Sequence, residues 1–402
     1  MKKKLIAGLL TAAMAVSMLA GCGSSTSGTS TSAAASASSS AAAASTTSAA
    51  SSASSEEKEA VASSSTAATS EAAGTEHTVK PAQTSGDYDA SGDPAKELIF
   101  TSVSVTGDSH TTAMGAFADK VKELSGGSVT CKTYSDGTLF AADAEWDALT
   151  SGKADLAYIS FPTLATQPGL EWCSMFGSAY FWNSYEHMTD TLNGDIGKNE
   201  IFSKITDKVN AVPLSAFYLG VRVVNTRNKE INSYDDMKGL LLRMPNSETW
   251  LNLGHALGAN PTPLAFSELY TALQTGSVDA QDNPLPTDVS AKFYEVAPYF
   301  AMTNHVVDSI IPMINKDTWN SLTDAQQKAV TDAMDYARQV NDEARIDEEA
   351  KDIKTLEDNG CTITYPDLDE FKTKAKEYYD SNPDQEADWD MDLYDEIQKA
   401  AE

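Results

Sequence analysis

The fold of this chain is decided by residues 238–286, KGLLLRMPNSETWLNLGHALGANPTPLAFSELYTALQTGSVDAQDNPLP, which predict a strand, two helices and a second strand in succession. The leucines at 240–242 form the short apolar run that is typical of a buried strand. Asn246 or Ser247 can cap the first helix and Ser267 the second, and each helix is followed by a glycine that can end it. The stretch therefore predicts one α/β unit of a larger sheet protein.

Arg243 stands at the carboxyl end of the first predicted strand, where α/β units usually bind ligands. Its planar guanidinium can pair with a carboxylate through two hydrogen bonds, and it keeps its charge. Because the chain carries a net charge of −29, it repels anions at long range, so an anion site must be built locally. Arg243 is the candidate anchor, with an ordinary surface charge as the alternative. The chain has only five arginines: Arg222, Arg227, Arg243, Arg338 and Arg345.

Three segments carry a family resemblance: KGLLLRMPNS, GANPTPLAFSELYTALQTGSVDAQDNP and KFYEVAPYFAMTNH, the last at 292–305. They resemble the solute-binding proteins of tripartite ATP-independent periplasmic (TRAP) transporters, in particular the branch that binds sialic acid and four-carbon dicarboxylates. The resemblance is dense over 213–305 and thinner from about 96 to 400. It implies an extracytoplasmic receptor that binds a small organic acid, needs no cofactor, and delivers its ligand to one small and one large integral membrane subunit.

The resemblance also implies the residues of the binding site. The arginine of the K-G-L-x-x-R-x-P motif, here Arg243, contacts the carboxylate bidentately, and Arg222 and Asn283 make further contacts. Asn246 and Phe266 are expected to line the pocket. Alternative interpretations stay open for two of them: Asn283 as a turn former before a proline, and Phe266 as a core residue.

Ser160 leaves the identity of the ligand open. Sialic acid binders carry an acidic residue at the end of the strand that corresponds to ADLAYIS, and Ser160 stands at about that place here. The carboxylate anchor is kept, but recognition of the rest of the ligand has changed. A dicarboxylate, a keto or hydroxy acid, a sugar acid or sialic acid itself all remain candidates.

The amino terminus has the features of a bacterial lipoprotein. Three lysines precede the apolar segment Leu5–Ala20, which is short for a membrane span, and Leu-Ala-Gly-Cys ends at Cys22. We predict a lipoprotein signal peptide at 1–21 and lipidation of Cys22, which anchors the protein to the outer face of the cell membrane. A plain secretory cleavage site is the alternative. Residues 22–93, rich in Ser, Ala and Thr, cannot form a core and are predicted to be a tether.

The remaining 310 or so residues alternate strands and helices, which predicts an α/β protein with two domains. The resembled family implies a two-lobed, periplasmic-binding-protein-like architecture with a hinge. We place lobe I at 94–219 plus about 309–348 and lobe II at 220–308 plus about 349–402, with the first crossing near Gly220. The stretch from Asp324 to about Glu357 contains no Gly or Pro and predicts a long helix, which in the family runs along both lobes.

An internal repeat supports two similar lobes. Residues 138–155, TLFAADAEWDALTSGKAD, align without gaps on 262–279, TPLAFSELYTALQTGSVD, and six positions are identical. Gly152 and Gly276 form one of these pairs. The alternative explanation is that two helices with similar start and stop residues agree at these positions by chance.

Several function classes find no support in the sequence. The acidic charge argues against nucleic acid as a partner. The chain has no H-E-x-x-H, G-x-S-x-G, G-x-G-x-x-G or P-loop motif, and its five histidines are scattered, so neither a metal site nor an enzyme is predicted. The cysteines that follow Cys22 show no metal-binding or disulfide spacing. Two weaker alternatives remain: a sensing receptor for a signalling partner on the same scaffold, and an enzyme that acts on an organic acid.

Overall fold

The computed structural model describes residues 77–401, apart from the side chain of Asp143, and its strands form one extended mixed sheet. The predicted signal peptide, Cys22 and most of the predicted tether lie outside the described residues. Within 77–401 the strands are β1 (Lys96–Thr101), β2 (Val129–Tyr134), β3 (Leu156–Ile159), β4 (Ala211–Pro213), β5 (Phe217–Thr226), β6 (Leu241–Met244), β7 (Asn260–Pro263), β8 (Ala280–Pro284), β9 (Tyr299–Asn315) and β10 (Thr362–Thr364).

The α-helices pack against this sheet, as expected for an α/β protein. They are α1 (Ser109–Leu124), α2 (Ala142–Thr150), α3 (Phe161–Leu164), α4 (Tyr185–Asn193), α5 (Ser203–Lys208), α6 (Glu248–Ala256), α7 (Phe266–Thr275), α8 (Leu285–Ser290), α9 (Lys316–Asn320), α10 (Asp324–Asp358), α11 (Leu368–Ser381) and α12 (Met391–Ala400). Among the described residues, no helix is both long enough and apolar enough to span a membrane.

The sheet has two halves that share β9. Its strand order is β2-β1-β3-β9-β5-β8-β6-β7, and β4 and β10 also pair with β9. We call β1–β4 the first half and β5–β8 with β10 the second half. Within the first half β1, β2 and β3 are parallel, and within the second half β6, β7 and β8 are parallel. The 17-residue strand β9 runs through both and is antiparallel to β3 and to β5.

Each half has its own apolar core. In the first half, one cluster includes Phe176 and Trp182, and another packs Phe100 and Phe117 against α10. In the second half, Leu242 belongs to a cluster formed between β6 and the helices α6 and α11. Leu241, the first residue of β6, is 40% exposed, whereas the other three residues of the strand are buried. The strand that was predicted to be buried is therefore exposed at its start, where it lies next to the edge strand β7.

The internal repeat of the sequence is also a repeat of local structure. Helices α2 and α7 begin at equivalent positions, and so do strands β3 and β8, all with the offset of 124 residues. Gly152 and Gly276 both adopt left-handed backbone, with φ of 74° and 78°, which a residue with a Cβ rarely adopts. The prediction that Ser267 caps α7 is wrong: the helix begins at Phe266, and its N-cap is Ala265, two residues before Ser267, with no side-chain bond. Of the two residues predicted as the cap of α6, Asn246 and Ser247, the structure uses Ser247.

The predicted long helix is confirmed as α10, which has 35 residues and a length of about 52 Å. It begins with a capping box, in which Thr323 and Gln326 each bind the other's backbone N–H through the side chain. It packs against α1 in the first half and against α8 and β10 in the second half. One rigid element therefore runs along both halves of the sheet.

Residues 77–93, part of the predicted tether, lie against α10. Ser85 donates its N–H and hydroxyl to Asp332, the hydroxyl of Tyr88 donates to the same carboxylate, and Arg338 donates to the carbonyl of Lys80. These hydrogen bonds fix the chain on the helix before β1 begins. This part of the predicted tether is therefore bound to the folded domain.

A buried polar cluster joins α10 to both halves. Arg345 of α10 donates to both carboxylate oxygens of Asp108, the N-cap of α1, at 2.8 and 3.0 Å, and to the hydroxyl of Thr287 in α8 at 3.4 Å. Ser290 of α8 also donates to Asp108, at 3.3 Å. Burial would raise the pKa of Asp108, but Arg345 holds it well below its usual range. Asp108 is therefore ionised and paired where the helices meet.

Glu145 gives a pH-dependent stability prediction. It is 5% exposed in α2, and burial raises its pKa to about 8, although the hydroxyl of Thr101 donates to it at 3.4 Å. The folded carboxyl is therefore protonated at neutral pH, while the unfolded one ionises near pH 4.3. Its contribution to stability is complete below that value and is lost as the pH rises toward 8. Glu145→Gln, which cannot ionise, should gain about 3 kcal/mol over the wild type between pH 5 and pH 8.

Thermal unfolding of both proteins at the two pH values checks this prediction. The matched control is Asp147→Asn, the same change at an exposed position of the same helix, for which no pH-dependent gain is expected. A melting-temperature difference between Glu145→Gln and the wild type that does not change with pH would contradict the prediction.

Candidate functional site

The carboxyl ends of β3 and β8 point toward each other along β9. Ile159 at the end of β3 pairs with Ile311, whereas Pro284 at the end of β8 pairs with Arg222, which in turn pairs with Val306. Because β3 is antiparallel to β9 and β8 runs in the same direction as β9, the two ends face each other across five residues, about 16 Å. Strands β5 and β9 cross the space between them. A cleft between the halves therefore has two facing strand edges and a floor.

We call the carboxyl ends of β6, β7 and β8 the second-half edge, the carboxyl ends of β1 and β3 the first-half edge, and the parts of β5 and β9 between them the floor. Four of the predicted site residues lie at or just after the second-half edge, where α/β proteins usually bind ligands. Arg243 is in β6 and Asn246 follows it, Phe266 follows β7, and Asn283 is in β8. Arg222 lies on the floor in β5, and Ser160 follows β3 on the opposite edge. Asn246 is exposed, and the Phe266 ring is half-buried, 5.5 Å from that of Phe293. The fold thus distributes the six residues over the edges and floor of one cleft.

Arg243 is a buried cation without an ion-pair partner among the described residues. It is 2% exposed, and the single hydrogen bond found for it within 77–401 runs from Nε to the carbonyl of Leu264 at 2.9 Å. Burial lowers its pKa to about 10, and neighbouring Arg222 acts in the same direction while Asp282 opposes it. The charge remains at neutral pH, and the two terminal nitrogens are available for an anion.

Arg222, in contrast, is almost completely engaged. Its Nε donates to Asp282 at 2.6 Å, its Nη1 to Asp308 at 3.0 Å, and its Nη2 to the carbonyl of Asp282 and to the Asn283 side chain. Four of its five N–H donors are therefore used. Burial alone would lower its pKa, but the two carboxylates raise it. Its guanidinium also lies over the Trp250 ring, 4.6 Å from the centroid, an arrangement that favours the cation.

Asp282 connects Arg222 to a histidine. His305 Nε2 lies 3.2 Å from the Asp282 carboxylate, and its Nδ1 lies 2.8 Å from the hydroxyl of Thr303. Burial would raise the pKa of Asp282, but Arg222 and His305 hold it well below its usual range. Burial lowers the pKa of His305, so the ring is neutral at neutral pH. The Arg222–Asp282 pair is thus an ionised pair inside the protein.

Amide side chains extend this network along β8. Asn283 donates to the side-chain oxygen of Gln281 at 2.5 Å, and Gln281 donates to Asn225 and, at 2.7 Å, to Asp288. Burial raises the pKa of Asp288 well above its usual range, so this carboxyl is neutral. The network fixes the Asn283 side chain, and with it the geometry of the second-half edge.

Three residues whose side chains contact Arg222 were not identified as site residues from the sequence. Trp250 of α6 is 5% exposed, and nothing in the sequence indicates its contact with Arg222. Asp308 lies on β9, three residues after the segment 292–305, and nothing in the sequence indicates that it contacts Arg222. Asp282 could have been found, because it stands next to Asn283 in the D-x-Q-D-N-P segment and a buried arginine requires a partner.

The first-half edge carries the hydroxyl of Ser160, while Thr101 and Glu145 beside it are buried. Ser160 is the N-cap of α3: its hydroxyl accepts the N–H of Thr163 at 3.3 Å and lies 3.0 Å from the Thr163 hydroxyl. Thr101 ends β1, which is adjacent to β3, and its hydroxyl contacts Glu145. Ser160 can still hydrogen-bond a ligand hydroxyl, but it supplies no charge.

The arrangement suits the binding of an organic anion. Within 77–401 no group of three or more His, Cys, Asp and Glu side chains is placed to hold a metal ion. Two surface cavities, of about 350 and 270 Å³, lie elsewhere: one is beside α4, and the other is near Thr106 and Thr133. Neither includes a predicted site residue. Arg243, a buried charge without an ion-pair partner among residues 77–401, marks a ligand site more specifically than either cavity does.

The family described as bacterial extracellular solute-binding protein, family 7, matches residues 100–385. The sialic acid-binding periplasmic protein SiaP of Vibrio cholerae is 34% identical over 269 residues, which are 66% of this chain and 82% of that protein.

Two solved structures have the same fold. One is a TRAP periplasmic solute-binding protein from Roseobacter denitrificans with bound 3-deoxy-D-manno-oct-2-ulosonic acid; it is 36% identical, with a TM-score of 0.71, and the match covers 77% of this chain and all of that one. The other is a sugar acid-binding protein from Advenella mimigardefordensis in complex with galactonate; it is 25% identical, with a TM-score of 0.71, and the match covers 77% and 98% of the two chains.

Proposed function

The chain belongs to the bacterial extracellular solute-binding proteins of family 7, the two-lobed receptors of TRAP transporters, and on this premise we propose that it captures a small organic acid through Arg243. One observation carries the proposal: a fully buried arginine that no carboxylate neutralises among the described residues. Burying an unpaired charge is unfavourable, so the fold keeps it where an anionic ligand supplies the missing partner.

The other five predicted residues receive supporting roles in this proposal. Arg222 has one N–H left for the ligand, and Asn283 is oriented by its bonds to Gln281 and Arg222. Phe266 packs on the carbon skeleton and excludes water, and Asn246 lines the entrance. Ser160 faces the ligand from the first half. Closure of the lobes would remove water from these contacts and strengthen the ion pair.

The lobe boundaries of the sequence analysis are retained as part of the proposal, except that α12, which they place in lobe II, is assigned to lobe I. The crossing near Gly220 is supported by local geometry, because Gly220 has φ of 124° and an added Cβ would lie 2.5 Å from Pro284 and 2.8 Å from Glu349. The pairing of β5 with β9 is irregular at the same place. At the carboxyl terminus, Leu393 and Ile397 of α12 pack into the core cluster of the first half, so α12 would move with lobe I.

We further propose that this extracytoplasmic receptor is held by a lipid on Cys22 and a tether of Ser, Ala and Thr that ends before His77. The support is the sequence alone, together with the hydrogen bonds that fix residues 80–88 on α10. Incorporation of a labelled fatty acid into the protein checks this anchor. The receptor passes its ligand unchanged to the membrane subunits of the transporter, without catalysis.

A thermal-shift screen tests the proposed function. The protein without residues 1–21 is heated with organic acids, sugar acids, neutral sugars and cations. A ligand at 100 times its Kd adds about 2.7 kcal/mol, which raises the melting temperature of a protein of this size by about 2 °C or more. We expect shifts among carboxylates only. Shifts confined to neutral sugars or cations would contradict the proposal.

A further inference from the structure

We infer that Tyr180 is a latch between the two lobes: it belongs to lobe I, binds β9 in lobe II, and holds the receptor in its closed form. The inference rests on the lobe division given under the proposed function. It goes beyond the binding of a carboxylate by Arg243, because it assigns closure to a residue outside the six site residues.

The chain crosses from the first half of the sheet into the second at residues 177–180, which we call the inter-lobe loop. Phe176 and Phe181, on either side of its tip, belong to the core cluster of the first half. Ala179 and Tyr180 instead pack against the apolar clusters that α6 and α11 form in the second half. The tip of a lobe I segment is therefore inserted into lobe II.

Tyr180 binds a stretch of β9 that has no strand on one side. That edge of β9 pairs with β10 at residues 299–301 and with β3 at 311–314. Between these two pairings, Tyr180 donates its N–H to the carbonyl of His305 at 2.8 Å and its hydroxyl to the carbonyl of Thr303 at 2.9 Å. Both acceptor residues are fully buried, so their carbonyls need partners inside the protein. Tyr180 supplies these partners from the other lobe.

The backbone of Tyr180 is strained in this position. Its φ is 59°, in the left-handed region that a residue with a large side chain rarely adopts. Such a conformation persists only where the surrounding contacts impose it, and it is found most often at functional sites. Here the two hydrogen bonds to β9 and the packing of the ring impose it. Because the strain opposes these contacts, the latch can release when the lobes separate.

Two further contacts of the inter-lobe loop reach α6 and α11. The N–H of Ala179 donates to the hydroxyl of Tyr379 in α11 at 3.3 Å. Gly177 lies so close to α6 that an added Cβ would be 2.8 Å from Cγ2 of Thr249, so the missing side chain permits this approach. A rotation of lobe II away from lobe I would separate the loop from β9, α6 and α11 together. These contacts therefore stabilise the closed form selectively.

The latch is also connected to the floor of the cleft. The two residues of β9 that accept from Tyr180 continue into the network around Arg222. The Thr303 hydroxyl lies 2.8 Å from Nδ1 of His305, whose Nε2 lies 3.2 Å from the Asp282 carboxylate that pairs with Arg222. A closed latch thus fixes the part of β9 that supports this arginine.

Tyr180→Phe tests the latch, because it removes the hydroxyl bond to Thr303 and keeps the ring and the N–H bond. Fluorophores at Asp147 of α2 and Thr271 of α7, equivalent exposed positions of the internal repeat, report the distance between the lobes by single-molecule energy transfer. The probe ligands are galactonate and 3-deoxy-D-manno-oct-2-ulosonate. We expect the ratio of closed to open molecules to fall about fivefold, the effect of one net hydrogen bond, and the dissociation rate of a bound acid to rise by about the same factor.

Two more variants show whether the effect belongs to the latch. Tyr88→Phe is the matched control: it removes a tyrosine hydroxyl bond to Asp332 within lobe I, so it should lower the melting temperature without changing the ratio or the dissociation rate. Tyr379→Phe removes the bond to Ala179 from the side of lobe II, so it should shift both quantities in the same direction as Tyr180→Phe.

A ratio of closed to open molecules that Tyr180→Phe leaves unchanged, or a change confined to the melting temperature, overturns the inference. If neither acid binds, the ratio measured without acid decides, and equal ratios in wild type and variant again overturn the latch. The proposed function is decided separately by the thermal-shift screen, so either conclusion can fail without the other.

Discussion

Arg243→Met is expected to abolish carboxylate binding while the ligand-free protein keeps or gains thermal stability. The arginine is 2% exposed and has no carboxylate partner among residues 77–401, so its burial is unfavourable until the ligand arrives. Methionine fills a similar volume without a charge. In this variant the bound carboxylate has lost its buried ion-pair partner. Binding should therefore weaken by about 3 kcal/mol or more, which is at least about 100-fold. Calorimetry gives the affinity, and thermal unfolding without ligand gives the stability.

The matched control is Arg227→Met, the same change at a half-exposed arginine of the same lobe, beside Gly276. Its affinity should stay within about twofold of the wild type, since surface substitutions have small effects. Unchanged affinity in Arg243→Met would remove Arg243 from the site. A large loss of stability in that variant would show that the arginine holds the fold together, which contradicts the interpretation of a charge kept for the ligand.

Asp282→Asn is expected to have the largest effect on stability. Asp282 is 0% exposed and is the closest ionic partner of Arg222, and asparagine keeps its shape but not its charge. Removing one member of a buried ion pair leaves the other uncompensated, so the free energy of unfolding at pH 7 should fall by about 3 kcal/mol. Denaturant unfolding followed by circular dichroism measures this loss.

The same variant should show a defined pH dependence. Because the folded-state pKa of Asp282 lies below its unfolded value, its stabilising contribution is present above the unfolded pKa of about 3.9 and is lost as the pH falls through the folded one. The stability difference between wild type and Asp282→Asn should therefore be complete at pH 5–7 and shrink in strong acid. A difference that is equally large at every pH would indicate a packing defect instead of a lost charge.

Asp308→Asn is the internal control for this prediction. Asp308 also binds Arg222, but burial raises its pKa in spite of that contact, so its charge contributes less to folding at neutral pH. We expect a clearly smaller loss than for Asp282→Asn, because the 2.6 Å pair with Asp282 remains. Equal losses would mean that the two carboxylates share Arg222 evenly.

The sequence by itself determined the local elements and the position of the anchor. Apolar runs, the cap at Ser247 and the capping box at Thr323 depend on residues a few positions apart, so β6, α6 and α10 lie where they were predicted. The repeat with its paired left-handed glycines, Gly152 and Gly276, is equally local. The exception, Ser267, failed because several neighbouring residues can begin a helix and the sequence does not rank them.

Only the tertiary structure decided how the charges in the site are shared. Arg222 and Arg243 look alike in the sequence, but strand pairing brings Asp282 and Asp308, 60 and 86 residues away, to one of them and leaves the other without a carboxylate. It also places Ser160 across the cleft from Asn283, because β9 joins strands that run toward each other. Such partnerships depend on the register between distant strands, and no rule of local spacing encodes that register.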